Sequence, residues 1–264
     1  MRSRRAFSLV ELLVAVGLIA ILVSVLLPAL GGARRQAHRV TCAARLSQLG
    51  QALHLYAFDY AGKAMPLAYT DQEIIGDGPP IYWWGTNDAK GVDHTRGFVW
   101  PYLQSELRAA GLYECPNQPW GTYVAQGAAR EVTSTYGYNG YHLCPRHTPG
   151  WSYNIGHRPW ANLDLLALPQ RLFTFADTLI DLGGDLPQNN ALLDPPKLFV
   201  FGRWIENRYP TTAFRHEGRV NAALADGHVE AFHPGDGRIT SKKFGIGSVG
   251  GENDPHYVPD WREW

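Results

Sequence analysis

The side chains with the most chemical reach in this chain are its cysteines, its histidines and a few isolated carboxylates. Among 264 residues there are three cysteines, Cys42, Cys115 and Cys144, and ten histidines. No Cys-x-x-Cys pair occurs, which argues against a zinc ribbon or a thioredoxin-type redox site. His216, Asp226 and His228 fall within one short segment, and Asp177 follows a separate apolar run in Phe175-Ala176-Asp177-Thr178. Gathered together, these four would offer imidazole and carboxylate ligands to a divalent metal ion. The plainer expectation is that Asp226 serves a tight turn and His216 hydrogen-bonds the hairpin backbone. Gly245 to Gly250 spells G-x-G-x-x-G. No strand–helix unit surrounds it, and the chain ends before the acidic residue a dinucleotide site needs about twenty positions on. No nucleophile–base set is recognisable, so the chain reads as a non-enzyme.

The most unusual carboxylate is Glu11. It is the one ionisable side chain in FSLVELLVAVGLIAILVSVLLPAL, Phe7 to Leu30. That run exceeds the roughly 20 residues that cross a hydrocarbon core as a helix, and no small-residue cleavage site follows it. A carboxylate in lipid costs several kcal/mol unless it is paired or neutralised, so Glu11 needs a partner. A new α-amino group, made by cutting the chain just before Phe7, would supply one. Arg2, Arg4 and Arg5 precede the run, and Arg34, Arg35 and Arg39 follow it, so positive charge alone does not orient the segment.

Beyond the apolar run, Leu46, Leu49, Leu53, Tyr56 and Tyr60 recur at spacings of three and four, which predicts one helix with an apolar stripe ending near Gly62 and Pro66. Pro28 permits a kink. Ala6-Phe7-Ser8-Leu9-Val10-Glu11, after a basic leader and before the apolar run, closely resembles the type IV prepilin processing site. The resemblance implies removal of residues 1–6 by a prepilin peptidase between Ala6 and Phe7, N-methylation of Phe7, and use of Glu11 to register subunits in a filament. It departs from the usual pattern in carrying Ala6 where that family commonly has glycine. It also implies a leader in the cytoplasm, a single pass through the inner membrane, and a head in the periplasm or on a cell-surface filament. The partners implied are the peptidase and other pilin or pseudopilin subunits.

After Gly62 glycine, proline, tryptophan and tyrosine become frequent and helical periodicity fades. A short helix is expected within Val99–Gly111, and strands over Arg171–Ala176 and Lys197–Trp204. The clearest element is a hairpin over 219–232, with Asp226-Gly227 as a two-residue type I′ turn. That register pairs Ala225 with His228 and puts Val220, Ala222, Leu224, Val229 and Ala231 on one apolar face, expected to cover the long helix. His216, nine residues and Asp226-Gly227 resemble the H-x9-DG signature that closes many large pilin-like proteins, and Cys42, Cys115 in YECP and Tyr136–Asn139 resemble segments of the same proteins.

The fold class expected is α+β and pilin-like: a long N-terminal helix, transmembrane in its lower half, packed on an antiparallel β-sheet head with long loops. Its divisions are a leader at 1–6, the membrane half of the helix at 7–30, the outer half at 31–61, and a head at 62–264 that includes the hairpin 216–232. A head outside the cytosol permits a disulfide, and Cys115–Cys144 is the expected pair, with Cys42 left over. The acidic stretch from Gly251 to Asp260, with Asp254 and Asp260, is weakly similar to the calcium loop of major pseudopilins; no cofactor is firmly indicated, calcium is the one this stretch suggests, and a solvated loop is the alternative. Lys+Arg and Asp+Glu are both 24, so charge gives no reason to expect nucleic acid as a partner. The function expected is that of a filament subunit, of a type IV pilus or a type II secretion pseudopilus. The second reading is a membrane-anchored module that binds glycan or another ligand through Trp83, Trp84, Trp120 and Trp151.

Overall fold

The computed structural model describes residues 9–70, 72–105, 108–125, 130–144, 160–235 and 238–264. One helix, Leu9–Asp59, runs for 51 residues, roughly 75 Å at the α-helical rise. It passes Pro28 without interruption, so the ring costs one backbone hydrogen bond and does not end the helix. Positive φ at Ala61 and Gly62 ends the helix, and the Gly62 N–H closes on the Ala57 carbonyl at 2.7 Å.

The two halves of this helix meet different surroundings. From Leu9 to Leu30 its large apolar side chains are exposed, Leu9 at 74% and Val25 at 71%. The outer half docks on the head through Cys42, Leu46, Leu49, Leu53 and Tyr56, which are all buried. Burying each leucine contributes on the order of 1.5–3 kcal/mol. Polar ties flank that stripe. The Arg45 guanidinium donates to the Ala110 carbonyl at 2.7 Å and to the Glu114 carbonyl, and Tyr102 donates to Asp59 at 2.9 Å. Tyr60 lies past the helix end, half exposed, and stacks on Tyr56 at 4.2 Å.

The head is built on a four-stranded antiparallel sheet: β1 (Tyr136–Tyr138), β2 (Phe173–Asp177), β3 (Val220–Leu224) and β4 (Val229–Phe232), in spatial order β4-β3-β2-β1. A smaller sheet joins Thr212–Ala213, Ile246–Gly247 and Ile239–Ser241, and the rest of the head is loops and short hairpins. This is the α+β architecture of a pilin-like fold.

Several expected elements need correction. Among the described residues of Val99–Gly111 the helix is Trp100–Leu103. The run Lys197–Trp204 is not one strand: it reverses at Phe201-Gly202, both at positive φ, into a tight hairpin of Lys197–Val200 with Arg203–Glu206. The main hairpin forms with its register moved by one. Ala223 pairs with Val229, and the Leu224 N–H bonds the His228 carbonyl at 2.9 Å, leaving a three-residue loop of Ala225, Asp226 and Gly227. Only Gly227 has positive φ, at 95°, and the Asp226 carboxylate accepts the His228 N–H at 3.2 Å, so the type I′ turn does not form.

A one-residue shift re-pairs the faces of the two strands, so Val229 and Ala231 share a face with Asn221 and Ala223 rather than with Val220, Ala222 and Leu224. Asn221 and Ala223 face the long helix, in place of the expected Val220, Ala222 and Leu224. The Asn221 amide donates to the Arg39 carbonyl at 3.2 Å, and a Cβ on Gly50 would touch Ala223 at 3.7 Å. The opposite face is also covered. Phe232 packs edge-on against Phe173 at 4.8 Å and against His256 at 4.9 Å, and Tyr257 is fully buried beside them.

Candidate functional site

β2 reads Phe173-Thr174-Phe175-Ala176-Asp177 and every residue in it is buried. A carboxylate at the end of such a strand must be charge-paired and hydrogen-bonded to persist. Arg215 supplies the charge, with Nη1 at 3.1 Å from Asp177 Oδ1, and its other Nη donates to the Thr178 carbonyl at 2.6 Å. Asp177 Oδ2 lies 3.3 Å from His216 Nε2 and accepts the Asn221 N–H at 3.4 Å. His216 Nε2 is also 3.4 Å from Cys115 Sγ, and Asn117 sits 3.2 Å from its Nδ1. Cys42, from the long helix, completes the group, with Sγ 3.5 Å from each Asp177 oxygen.

Each element delivers one member. The helix brings Cys42, the loop before β1 brings Cys115, the end of β2 brings Asp177, and the turn before β3 brings His216. Glu217 and Gly218 in that turn both hold positive φ. Donor atoms of Cys42, Cys115, Asp177 and His216 all lie within 4.8 Å of one another, and all four residues are buried. The group could hold a metal ion.

The electrostatics follow from burial set against pairing. Burial would push the Cys115 thiol up, but hydrogen bonding to Cys42 and His216 and the Arg215 charge outweigh it, and its pKa falls to about 6. Burial would lower His216; hydrogen bonds to Asp177 and Cys115 raise it to about 9 instead. Burial opposes ionisation of Asp177, yet Arg215 and His216 hold it below the usual carboxylate range. Cys42 is pushed well up by burial, then by Cys115 and the Asp177 charge, and keeps its proton. Pairing thus favours the ionised forms of Asp177, His216 and Cys115, and burial favours the neutral thiol at Cys42.

The expected site residues divide accordingly. His216 and Asp177 do meet. Asp226 and His228 do not join them: they pair with each other at 2.6 Å on the exposed turn. The His216 side chain does not fix that turn, because it points to Asp177, Cys115 and Asn117 at the other end of the hairpin. The expected Cys115–Cys144 disulfide is absent. All three cysteines are free thiols; Cys144 Sγ accepts the Leu67 N–H at 3.1 Å, while Cys115 lies in the group with Cys42. Asp254 is occupied by donors, the Trp261 indole at 2.6 Å and Arg262 at 2.8 Å, and Asp260 is 3.3 Å from the Trp264 indole and 3.5 Å from His142. These cationic and N–H neighbours disfavour calcium there, and the acidic stretch is a packed strap, with the Asn139 amide donating to the Tyr257 carbonyl at 2.8 Å. Trp83 and Trp84 are buried in the core and offer no sugar platform, Trp120 is 40% exposed, and Trp151 lies outside the described residues. Arg215 and the role of Cys42 are missed by reading the sequence. The legible signal was Asp177 itself, a charge ending a largely apolar run with no cation beside it in sequence.

The second candidate site is the N-terminus. Ala6 and Phe7 lie outside the described residues, and Glu11 lies in the exposed first turns of the helix. The segment from Leu9 is long and apolar enough to cross a membrane, with none of its most apolar window buried in the head.

A membrane-length helix that continues into an antiparallel head defines a pilin-like class of protein. The family model for the prokaryotic N-terminal methylation motif matches residues 1–27, which supports a type IV pilin-like protein and indicates a pilin-type precursor N-terminus. Neither comparison with curated proteins nor comparison with solved structures finds a match.

Proposed function

We propose that this chain is a structural subunit of a type IV pilus or of a type II secretion pseudopilus. The observation that carries the proposal is the methylation motif over residues 1–27 set directly on a helix whose first half has no apolar cover of its own. Such a surface needs lipid before assembly and other helices after it. In this reading residues 1–6 are a cytoplasmic leader removed by prepilin peptidase between Ala6 and Phe7. Phe7 is then N-methylated. Residues 7–30 span the inner membrane as a single pass, 31–61 form the docked outer half of the helix, and 62–264 form an extracytoplasmic head. The Phe7 amine of one subunit pairs with Glu11 of its neighbour, because either charge alone is costly in lipid. The role is structural rather than enzymatic, in keeping with the pilin-type motif.

Replacing Glu11 tests the assembly step. Glu11→Leu retains membrane insertion but is lost from sheared surface filaments and from subunit-to-subunit crosslinks in the membrane. Normal incorporation of Glu11→Leu in both assays contradicts the register role.

A further inference from the structure

We propose that Cys42, Cys115, Asp177 and His216 form a structural binding site for a zinc-class divalent cation, one that pins the long helix to the head. The donor set is two sulfurs, one imidazole nitrogen and one carboxylate oxygen, a combination suited to tetrahedral zinc. With metal–ligand bonds of about 2.0–2.3 Å, the edges of a tetrahedral site measure about 3.3–3.8 Å. Three of the six separations fall in that range: 3.3 Å from His216 Nε2 to Asp177 Oδ2, 3.4 Å from His216 Nε2 to Cys115 Sγ, and 3.5 Å from Cys42 Sγ to Asp177. All six lie within 4.8 Å, so an ion would draw any wider edge inward.

The surroundings suit an ion as well. Asp177 turns Oδ2 toward His216, where it also accepts a long Asn221 N–H bond at 3.4 Å, and Oδ1 toward Arg215 at 3.1 Å, so Oδ2 is the ligating oxygen and the guanidinium fixes the carboxylate. Asn117 lies at His216 Nδ1, the nitrogen that faces away from the site. Two thiolates, one carboxylate and a neutral imidazole carry three negative charges. A divalent ion and Arg215 carry three positive charges, so the occupied site is neutral in a buried setting. The ligating forms are thiolates and a neutral imidazole, so binding releases the protons that the thiols and the imidazole carry beforehand. All four ligands are closed to solvent, so no coordination position opens to substrate, as in structural zinc sites rather than catalytic ones.

The consequence is mechanical. The four ligands come from segments separated by up to 174 positions, from Cys42 to His216, so one ion would close the head over the helix. This inference stands apart from the filament role, and its test reads no assembly step.

The experiment uses the full chain in detergent, purified with reductant, stripped by chelator and titrated with Co²⁺. One equivalent should give a sulfur-to-cobalt charge-transfer band with the intense visible bands of tetrahedral cobalt, and Zn²⁺ should abolish both. Cys42→Ser and Cys115→Ser should each weaken binding roughly 10-fold or more, since loss of even an outer-shell partner costs that much. Cys144→Ser should leave it unchanged. Zn²⁺ should also raise the thermal midpoint of the unsubstituted chain, a reading that needs no variant to fold. The proposal is overturned if the folded, unsubstituted chain shows no cobalt band, or if the band survives in both the Cys42 and Cys115 variants. It is equally overturned if protein isolated without reductant carries a Cys42–Cys115 disulfide by mass spectrometry.

Discussion

Asp177 and Asp194 are two enclosed carboxyls with opposite solutions. Asp177 has Arg215 beside it and stays ionised. Among the described residues no cation sets the titration of Asp194; burial raises its pKa to about 7, and hydrogen bonds from Tyr141 and Asn190 only moderate the rise. The sign follows directly. A carboxyl whose folded pKa is raised contributes stability that is present below its ordinary value of 3.8 and lost as pH rises through about 7. Asp194→Asn, which keeps the shape and stays neutral, should remove that decline, so its thermal midpoint should gain on the parent chain between pH 5 and pH 8. Melting curves across that range check this, and an unchanged difference between the two chains would contradict it. Glu11 is a third case. Its partner in the proposed filament is another subunit's amine, so its position in the apolar run was legible from the sequence, unlike the cluster around Asp177. That cluster is assembled by tertiary contact between positions far apart in the chain, and no local spacing encodes it.

At the scale of elements, the stripe of Leu46, Leu49, Leu53 and Tyr56 docks as its periodicity indicates, because a helix fixes which residues share a face. The hairpin was legible as a hairpin but not in its register. The Asp226-Gly227 pair fits both a two-residue and a three-residue loop, and the choice lies in φ at Asp226 and in the Asp226 bond to the His228 N–H. The slip groups Asn221 and Ala223 with Val229 and Ala231, and it is this mixed face that meets the helix, where small Ala223 admits Gly50 and Asn221 satisfies the Arg39 carbonyl. Gly227 holds φ at 95°, and a Cβ there would meet only His54 at an ordinary 3.6 Å. The cost of substitution is therefore backbone strain rather than a clash. Gly227→Val should destabilise the head by about 1–3 kcal/mol, read as a shifted urea midpoint of the full chain in detergent. A midpoint equal to that of the parent would mean that the loop adopts another conformation at no cost. The hairpin at Phe201-Gly202 was missed because Phe201 continues an apolar run. Only its positive φ, in a side chain 86% exposed, shows that the run turns there.

Over the whole molecule, one helix serves two solvents. Its outer half is covered by the sheet, and the half from Leu9 to Leu30 leaves its apolar surface open. That division, together with the methylation motif over residues 1–27, is the basis for reading the chain as a precursor that is cut, methylated and built into a filament. The most direct test is mass spectrometry of the N-terminal peptide of the protein recovered from membranes of cells with an active prepilin peptidase. The account predicts a chain that begins at Phe7 and carries one added methyl group on its amine. A membrane-resident chain that still begins at Met1 or Arg2 would contradict it.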